Sequence, residues 1–158
     1  MKLNDTVKLG GIFEVEVLNK QGERVWYRKF KNKMTNASLA AITGLVGNTG
    51  SQSAFTYIAL GTSSTAVSAA HTALQAEIVD SGLARASATV SRTTTTQTND
   101  TLSLTKTFTV TGTKAIEEIG VFNASSAGVM LARALTGTVN VVNGNTIVTT
   151  YTWTAVGN

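Results

Sequence analysis

The sequence predicts an all-β protein: an antiparallel β-sandwich, of which the jelly roll is one form, with an N-terminal β-hairpin arm and one or two short helices. Three observations predict it. In residues 101–111 every odd position is Ser or Thr, while the even positions read Leu102, Leu104, Lys106, Phe108 and Val110. Successive strand side chains point to opposite faces, so this is one half-buried strand with a hydroxyl face in water. Composition is the second: 14% of residues are charged, against about 25% in an average domain, there is no proline, and threonine dominates the second half. Thr and Val fit pleated, half-buried surfaces. The third is spacing: eight or nine short apolar runs follow one another closely, separated by Gly, Asn and Ser turn signals.

In chain order, residues 11–18 (GIFEVEVL) alternate Phe13, Val15 and Val17 against Glu14 and Glu16, a strand with one wet face. The turn signal NKQG leads into residues 23–31, which return as the second strand of a hairpin. That strand has Trp26 and Phe30 on one face and Val25 and Tyr27 on the other. Thr35 or Asn36 caps a helix of about ten residues closed by Gly44 or Gly47. Residues 55–60 (FTYIAL) read as a short strand. Residues 69–79 place Ala70, Ala73, Leu74 and Ile78 at helical spacing; they read as a short surface helix or an extended loop across a sheet edge, with a helical turn favoured.

Residues 83–92 alternate Ala84, Ala86, Ala88 and Val90 against polar partners, and they form a long hairpin with the 101–111 strand through the polar turn TTTTQTND. After a break at Gly112, Ile116, Ile119, Val121 and Phe122 form a run whose two-sided pattern predicts burial on both faces. Residues 129–135, 138–142 and 146–156 give three more strands, with Asn143-Gly144 as a type I′ hairpin signal between the last two.

At 158 residues the chain is one domain, long enough to bury roughly 70% of the surface its unfolded form exposes. Within it, residues 1–33 form a basic arm and hairpin and residues 34–158 the sandwich body. The absence of cysteine excludes a disulfide framework and thiolate chemistry. The N-terminus lacks the apolar core of a signal peptide, and no apolar run approaches the roughly 20 residues that span a bilayer, so a soluble, unexported protein with no membrane partner is expected.

No catalytic, cofactor or metal signature is present, and the expectation is a protein that is not an enzyme and takes no cofactor. His71 is the single histidine, and without cysteine no His or Cys cluster can hold zinc. It reads as a loop or helix-surface residue. Glu117 and Glu118 are adjacent, which on a strand sends them to opposite faces; one is expected exposed and the other ion-paired near Arg133 or Lys106. The glycines at 10–11 and at 44 and 47 do not make a phosphate loop.

Charge is the informative feature. Residues 1–33 hold eight Lys/Arg and four acids, and the remaining 125 hold five of each, so the whole net charge of +4 lies in the first fifth of the chain. Residues 24–33 (RVWYRKFKNK) contain five basic residues, three aromatics and no acid. Aromatics beside cations suit single-stranded nucleic acid. The neighbouring strand, however, brings Glu14 and Glu16, and no extended basic stripe follows, so an acidic protein surface fits better. The candidate partner-binding residues are Arg24, Trp26, Tyr27, Arg28, Lys29, Phe30, Lys31 and Lys33.

The segments GIFEVEV at 11–17, KQG at 20–22, Val25-Trp26 and NKMTNASL at 32–39 resemble the opening of small virion proteins of tailed bacteriophages, in which such an opening leads into a short helix. YIALGT at 57–62, LAR at 83–85, IEEIGVFN at 116–123 and MLAR at 130–133 resemble further patterns of phage head-decoration and tail-fibre-like proteins. The similarity spans nearly the whole chain, and its motifs are structural. It implies a capsid decoration, or cement, protein made in the bacterial host cytoplasm. Such a protein oligomerises on the outside of the head, a homotrimer if it decorates three-fold positions, and binds the major capsid protein. The alternative within virions is a tail, baseplate or fibre subunit involved in host attachment. A polysaccharide-degrading tail enzyme would want facing carboxylates in a groove, and the nine acids are scattered singly or in sequence-adjacent pairs.

Overall fold

The computed structural model describes residues 8–156. Two five-stranded antiparallel sheets pack as a sandwich with one short helix. The first sheet contains β1 (Lys8–Leu18), β2 (Arg24–Lys31), β6 (Thr89–Thr93), β7 (Thr101–Thr109) and β10 (Thr146–Val156), in the order β2-β1-β10-β7-β6. The second contains β3 (Lys33–Met34), β4 (Tyr57–Gly61), β5 (Ala86–Ser87), β8 (Lys114–Phe122) and β9 (Met130–Val141), in the order β3-β9-β8-β4-β5. The expected sandwich is therefore present, with ten strands, two of them only two residues long.

The alternations expected from sequence build the core between the sheets. Phe13, Val15 and Val17 from β1, Leu104 and Phe108 from β7, and Ile147 and Tyr151 from β10 are buried and face Ile119, Val121 and Leu131 of the other sheet. Leu102 and Trp153 line this core, half-buried. Phe13 and Tyr151 are opposite each other in the β1–β10 register, with ring centroids 4.7 Å apart. On the other side of the first sheet lies the expected hydroxyl face. It runs through rows such as Thr89, Thr105 and Thr150, opposed pair by pair across β6, β7 and β10. Thr101 departs from it: this residue is buried, its hydroxyl hydrogen-bonded with those of Thr95 (2.6 Å) and Thr154 (3.0 Å).

The β1–β2 hairpin forms as expected, in the register Val17–Trp26 to Phe13–Phe30. β1 also pairs along its whole length with β10, so the hairpin is built into the sheet as two of its five strands. The helix α1 (Asn36–Gly47) starts at Thr35, whose Oγ1 accepts from the Ser38 N–H (3.1 Å) and donates to the Met130 carbonyl (2.5 Å). Its closing residue is Asn48 rather than either expected glycine. Asn48 sits at φ +50°, in the left-handed region that asparagine tolerates, and its N–H caps the last turn.

Four other expectations are corrected. Residues 83–92 are not one strand. β5 pairs with β4 and β6 with β7, and the chain passes from one sheet to the other over the single residue Ala88. Asn143-Gly144 does not close a hairpin, because β9 and β10 lie in different sheets. Gly144 takes φ +90° while Asn143 does not have positive φ, so the type I′ pattern is absent. The turn instead docks on β7's exit, with Gly144 N–H donating to the Val110 carbonyl and Val110 N–H to that of Asn145 (both 2.9 Å). Residues 129–135 and 138–142 merge into the single strand β9, whose irregular step near Gly137 (φ +65°) absorbs the break.

Residues 69–79, finally, contain no helix beyond a turn at 69–70; the extended alternative holds, the segment running along the edge of β4 with Thr62 N–H donating to the Ala76 carbonyl and Ile78 N–H to that of Leu60 (both 2.9 Å). Their backbone donors go elsewhere: the N–H groups of Gln75 and Ala76 bond the Glu118 carboxylate (3.2 and 2.8 Å), and Glu77 bridges to Gly61. This segment is part of a long connection, residues 62–85, whose Leu74 covers the outer side of the second sheet and whose Ile78 and Leu83 join the core between the sheets. It is why β8 is buried on both faces: Leu74 packs with Phe122, Met130 and Ala59 on that outer side.

Glu118 and Arg133 lie beneath the connection, both fully buried and joined by a 2.6 Å contact from Arg133 Nε. Arg133 Nη1 lies 3.3 Å from His71 Nδ1, and its Nη2 has no partner among the described residues. Glu117 sits at the irregular step between Ile116 and Glu118, so strict alternation does not separate the two; it is half-buried and accepts from the Thr138 hydroxyl (2.7 Å). Gly61 is required at the crossing, since a Cβ there would stand 2.5 Å from Glu118 Oε1. A second ion pair, Arg85–Glu77 (2.5 Å), closes the connection, with the Arg85 guanidinium 3.6 Å from the Phe122 ring centroid.

Two stability experiments follow from this packing. Phe108→Ala removes a buried ring and is expected to cost about 3–5 kcal/mol, while Thr107→Ala, on the wet face, stays within about 0.5 kcal/mol, both read by denaturant titration. Arg133→Met strands a buried carboxylate and is expected to cost about 3–5 kcal/mol. Adding Glu118→Leu recovers only part of that loss, because the Gln75 and Ala76 N–H groups then lose their acceptor; full recovery would show that these bonds do not hold the connection.

Candidate partner-binding surface

The eight candidate residues lie on one side of the sandwich, where β2 is the edge of one sheet and β3 the edge of the other. The chain switches sheets there over one residue, Asn32, whose Oδ1 accepts from the Gly11 N–H (2.7 Å). Strand alternation then divides β2. Trp26, Arg28 and Phe30 stand opposite Val17, Val15 and Phe13, on the core-facing side, whereas Tyr27 and Lys29 stand opposite Glu16 and Glu14 on the outer face.

Trp26 and Phe30 are half-buried, stack at 6.0 Å between centroids, and pack on the core. They anchor the edge strand. Tyr27 is the exposed aromatic of the three. Its hydroxyl donates to Glu14 Oε2 (2.6 Å), and Lys29 Nζ contacts Glu14 Oε1 (2.8 Å). Arg24 Nε lies 3.5 Å from Glu16, its guanidinium 5.2 Å from the Tyr27 ring centroid. Two of the five cations are thus answered by the acids of β1. Arg28, Lys31 and Lys33 are exposed and have no acidic partner among the described residues, with Lys33 on β3 carrying the positive edge into the second sheet. Residues 1–7 of the expected arm lie outside the described residues.

The alternation in sequence foretold which aromatics share a face, but not which face meets the core; that depends on β1's partner β10. The sequence reading did not find the pairing of Lys29 and Tyr27 with one carboxylate, although Glu14 two strand positions from Glu16 was the signal for it. Electrostatically the cluster is tuned in one direction. The Lys29 ammonium and the Tyr27 hydroxyl hold the Glu14 carboxyl below its ordinary value, while the carboxylate raises both Tyr27 and Lys29. Because Glu14's folded value is lowered, its contribution to stability is present above the ordinary carboxylate value of 4.5 and is lost as pH falls through the folded one. Exposure to water keeps that contribution small.

A comparison of the chain with family models, curated proteins and solved structures finds no match.

Glu14→Gln removes the charge that raises Tyr27. Its phenol is then expected to titrate closer to the ordinary value of 10 in an NMR pH series, with the buried Tyr151, which burial pushes far higher, as internal reference. An unchanged Tyr27 midpoint would show that the Tyr27–Glu14 hydrogen bond does not form in solution.

Proposed function

We propose that this protein is a structural subunit of a bacteriophage particle: a capsid decoration, or cement, protein that docks on the outer capsid shell through its basic β2–β3 side and stabilises the head as a homo-oligomer. The phage class rests on the resemblance of residues 11–39, 57–62, 83–85, 116–123 and 130–133 to small virion proteins. One structural observation supports the mode of attachment. Arg28 and Lys31 on β2, which Trp26 and Phe30 hold in place, and Lys33 on β3 form a positive edge with no acidic partner among the described residues. A pre-ordered edge of this kind suits an acidic protein surface, since charge complementarity sets orientation and speeds encounter while little ordering entropy remains to be lost.

On this reading the protein performs no catalysis and takes no cofactor; its partners are the major capsid protein and other copies of itself. Tyr27 and the two tethered cations Arg24 and Lys29 flank the docking edge, and Trp26 and Phe30 act by holding it in place. The protein is synthesised in the host cytoplasm and resides on the capsid surface. A tail, baseplate or fibre position is the competing reading within the same class.

The test is decoration of particles that lack the protein. The triple variant Arg28→Glu, Lys31→Glu, Lys33→Glu, all at exposed positions, is expected to fold normally and to wash off particles that retain the wild type. Neutralising Arg28 and Lys31 alone weakens retention more at low salt than at high, since exposed charges are screened beyond about 8–10 Å near physiological ionic strength. Equal retention of the triple variant would remove the basic side as the anchor. Imaging that finds a few copies at the tail instead of many on the shell would replace the decoration role with the tail one.

A further inference from the structure

We propose that the opposite side of the sandwich is the self-association surface: β6 pairs antiparallel with β6 of a second copy across a twofold axis at Ser91, and the contact closes the apolar cavity beside it. This names the contact of the homo-oligomer proposed above, and it stands independently of what the basic side binds.

The free edges of the two sheets differ. β3 and β5 are two residues long and offer almost nothing to pair with. β2 is long but carries Arg24, Arg28, Lys29 and Lys31 with no acid of its own, so pairing with itself would set like charges against one another. β6, Thr-Val-Ser-Arg-Thr, has all five residues exposed, only one charge, and β7 on one side alone. Edges of native sheets are normally blunted by charge, proline or brevity, and this chain has no proline. Among the described residues, β6 is the edge left open.

Exposed apolar residues gather beside it. Val90 on β6 is 46% exposed, and Leu45 and Val46 at the end of α1 are 39% and 85% exposed. These three line the mouth of a cavity of about 280 Å³ whose walls include Ile42, Phe55 and Trp153. A five-strand sheet extended only by the main-chain bonds of one short strand falls below the roughly 1,000 Å² of a specific interface, so a second copy must cover these residues too.

The twofold register fits this requirement. With Ser91 on the axis, Val90 stands opposite Arg92 of the second copy and Thr89 opposite Thr93. Val90 and Arg92 share the core-facing side, since they pair with Leu104 and Leu102 of β7. Each arginine stem therefore lies over the neighbour's valine and cavity mouth, its head in water, and the two arginines do not face each other. On the outer side the hydroxyl rows of the two sheets become continuous.

Because the chain has no cysteine, single introduced ones report the contact cleanly. Opposed residues of a strand pair have Cα atoms about 4.5–5.5 Å apart, within disulfide reach. Under mild oxidation Ser91→Cys is expected to give a covalent dimer, while Thr107→Cys, exposed on the same face at β7, does not. Sedimentation of the cysteine-free protein should show a concentration-dependent dimer that Val90→Lys abolishes. Three results would overturn the inference: a wild-type protein that stays monomeric at every concentration, an oligomer indifferent to Val90→Lys, or Ser91→Cys linking no faster than Thr107→Cys. A monomer that still decorates particles would do so while leaving attachment through β2 intact. An oligomer lost only on charge reversal of β2 would move self-contact to the basic edge.

Discussion

The buried contact between Glu118 and Arg133 determines how the second sheet can exist at all. A sandwich needs only one buried face per sheet, yet β8 is buried on both, and its outer side, with Glu118 and Phe122, would meet water without the connection at 62–85. That connection has no helix and little strand to satisfy its own backbone. Glu118 supplies acceptors for two of its N–H groups, and Arg133 neutralises the carboxylate at 2.6 Å. Two charges removed from water are costly unless each is paired and hydrogen-bonded, and Glu118 meets that condition with three donors. Arg133 meets it less completely, with Nη2 unpartnered. Gly61 lacks a side chain where the connection, the carboxylate and β4 converge, and Arg85 repeats the arrangement at the far end against Glu77 and Phe122.

With the outer side of one sheet covered, the two flanks of the sandwich and the hydroxyl face remain for contact with other molecules. Each flank is closed by a strand that changes sheet over a single residue, Asn32 on one side and Ala88 on the other. A strand that switches sheets makes a corner without a loop, which keeps each flank ordered. The flanks then diverge in chemistry. One carries cations of the chain's basic first fifth that have no acidic partner among the described residues, and the other carries an edge of hydroxyl and apolar groups beside a cavity. On the proposed reading, the charged side would meet a shell and the other side a second copy.

The regular elements were legible because their signals are local. Period-two alternation in 11–18 and 101–111 set the inward residues of β1 and β7, and Thr35 announced the start of α1. Where a local signal had two uses, the sequence could not choose between them. Asn-Gly suits a hairpin, but here it turns the chain from one sheet into the other, because β10 is already claimed by β1 and β7. Helical spacing in 69–79 was outweighed by a carboxylate 42 residues away.

What the amino-acid order alone determined, then, was the all-β class, the β1–β2 hairpin, the helix start and the faces of the alternating strands, each set by contacts within a few residues. Only the tertiary structure decided which sheet each strand joins, why β8 is buried twice, that Trp26 and Phe30 face the core while Tyr27 and Lys29 share Glu14, and that β6 ends its sheet with every residue exposed. These are pairings between residues far apart in the chain, and their energies depend on what the rest of the fold leaves uncovered.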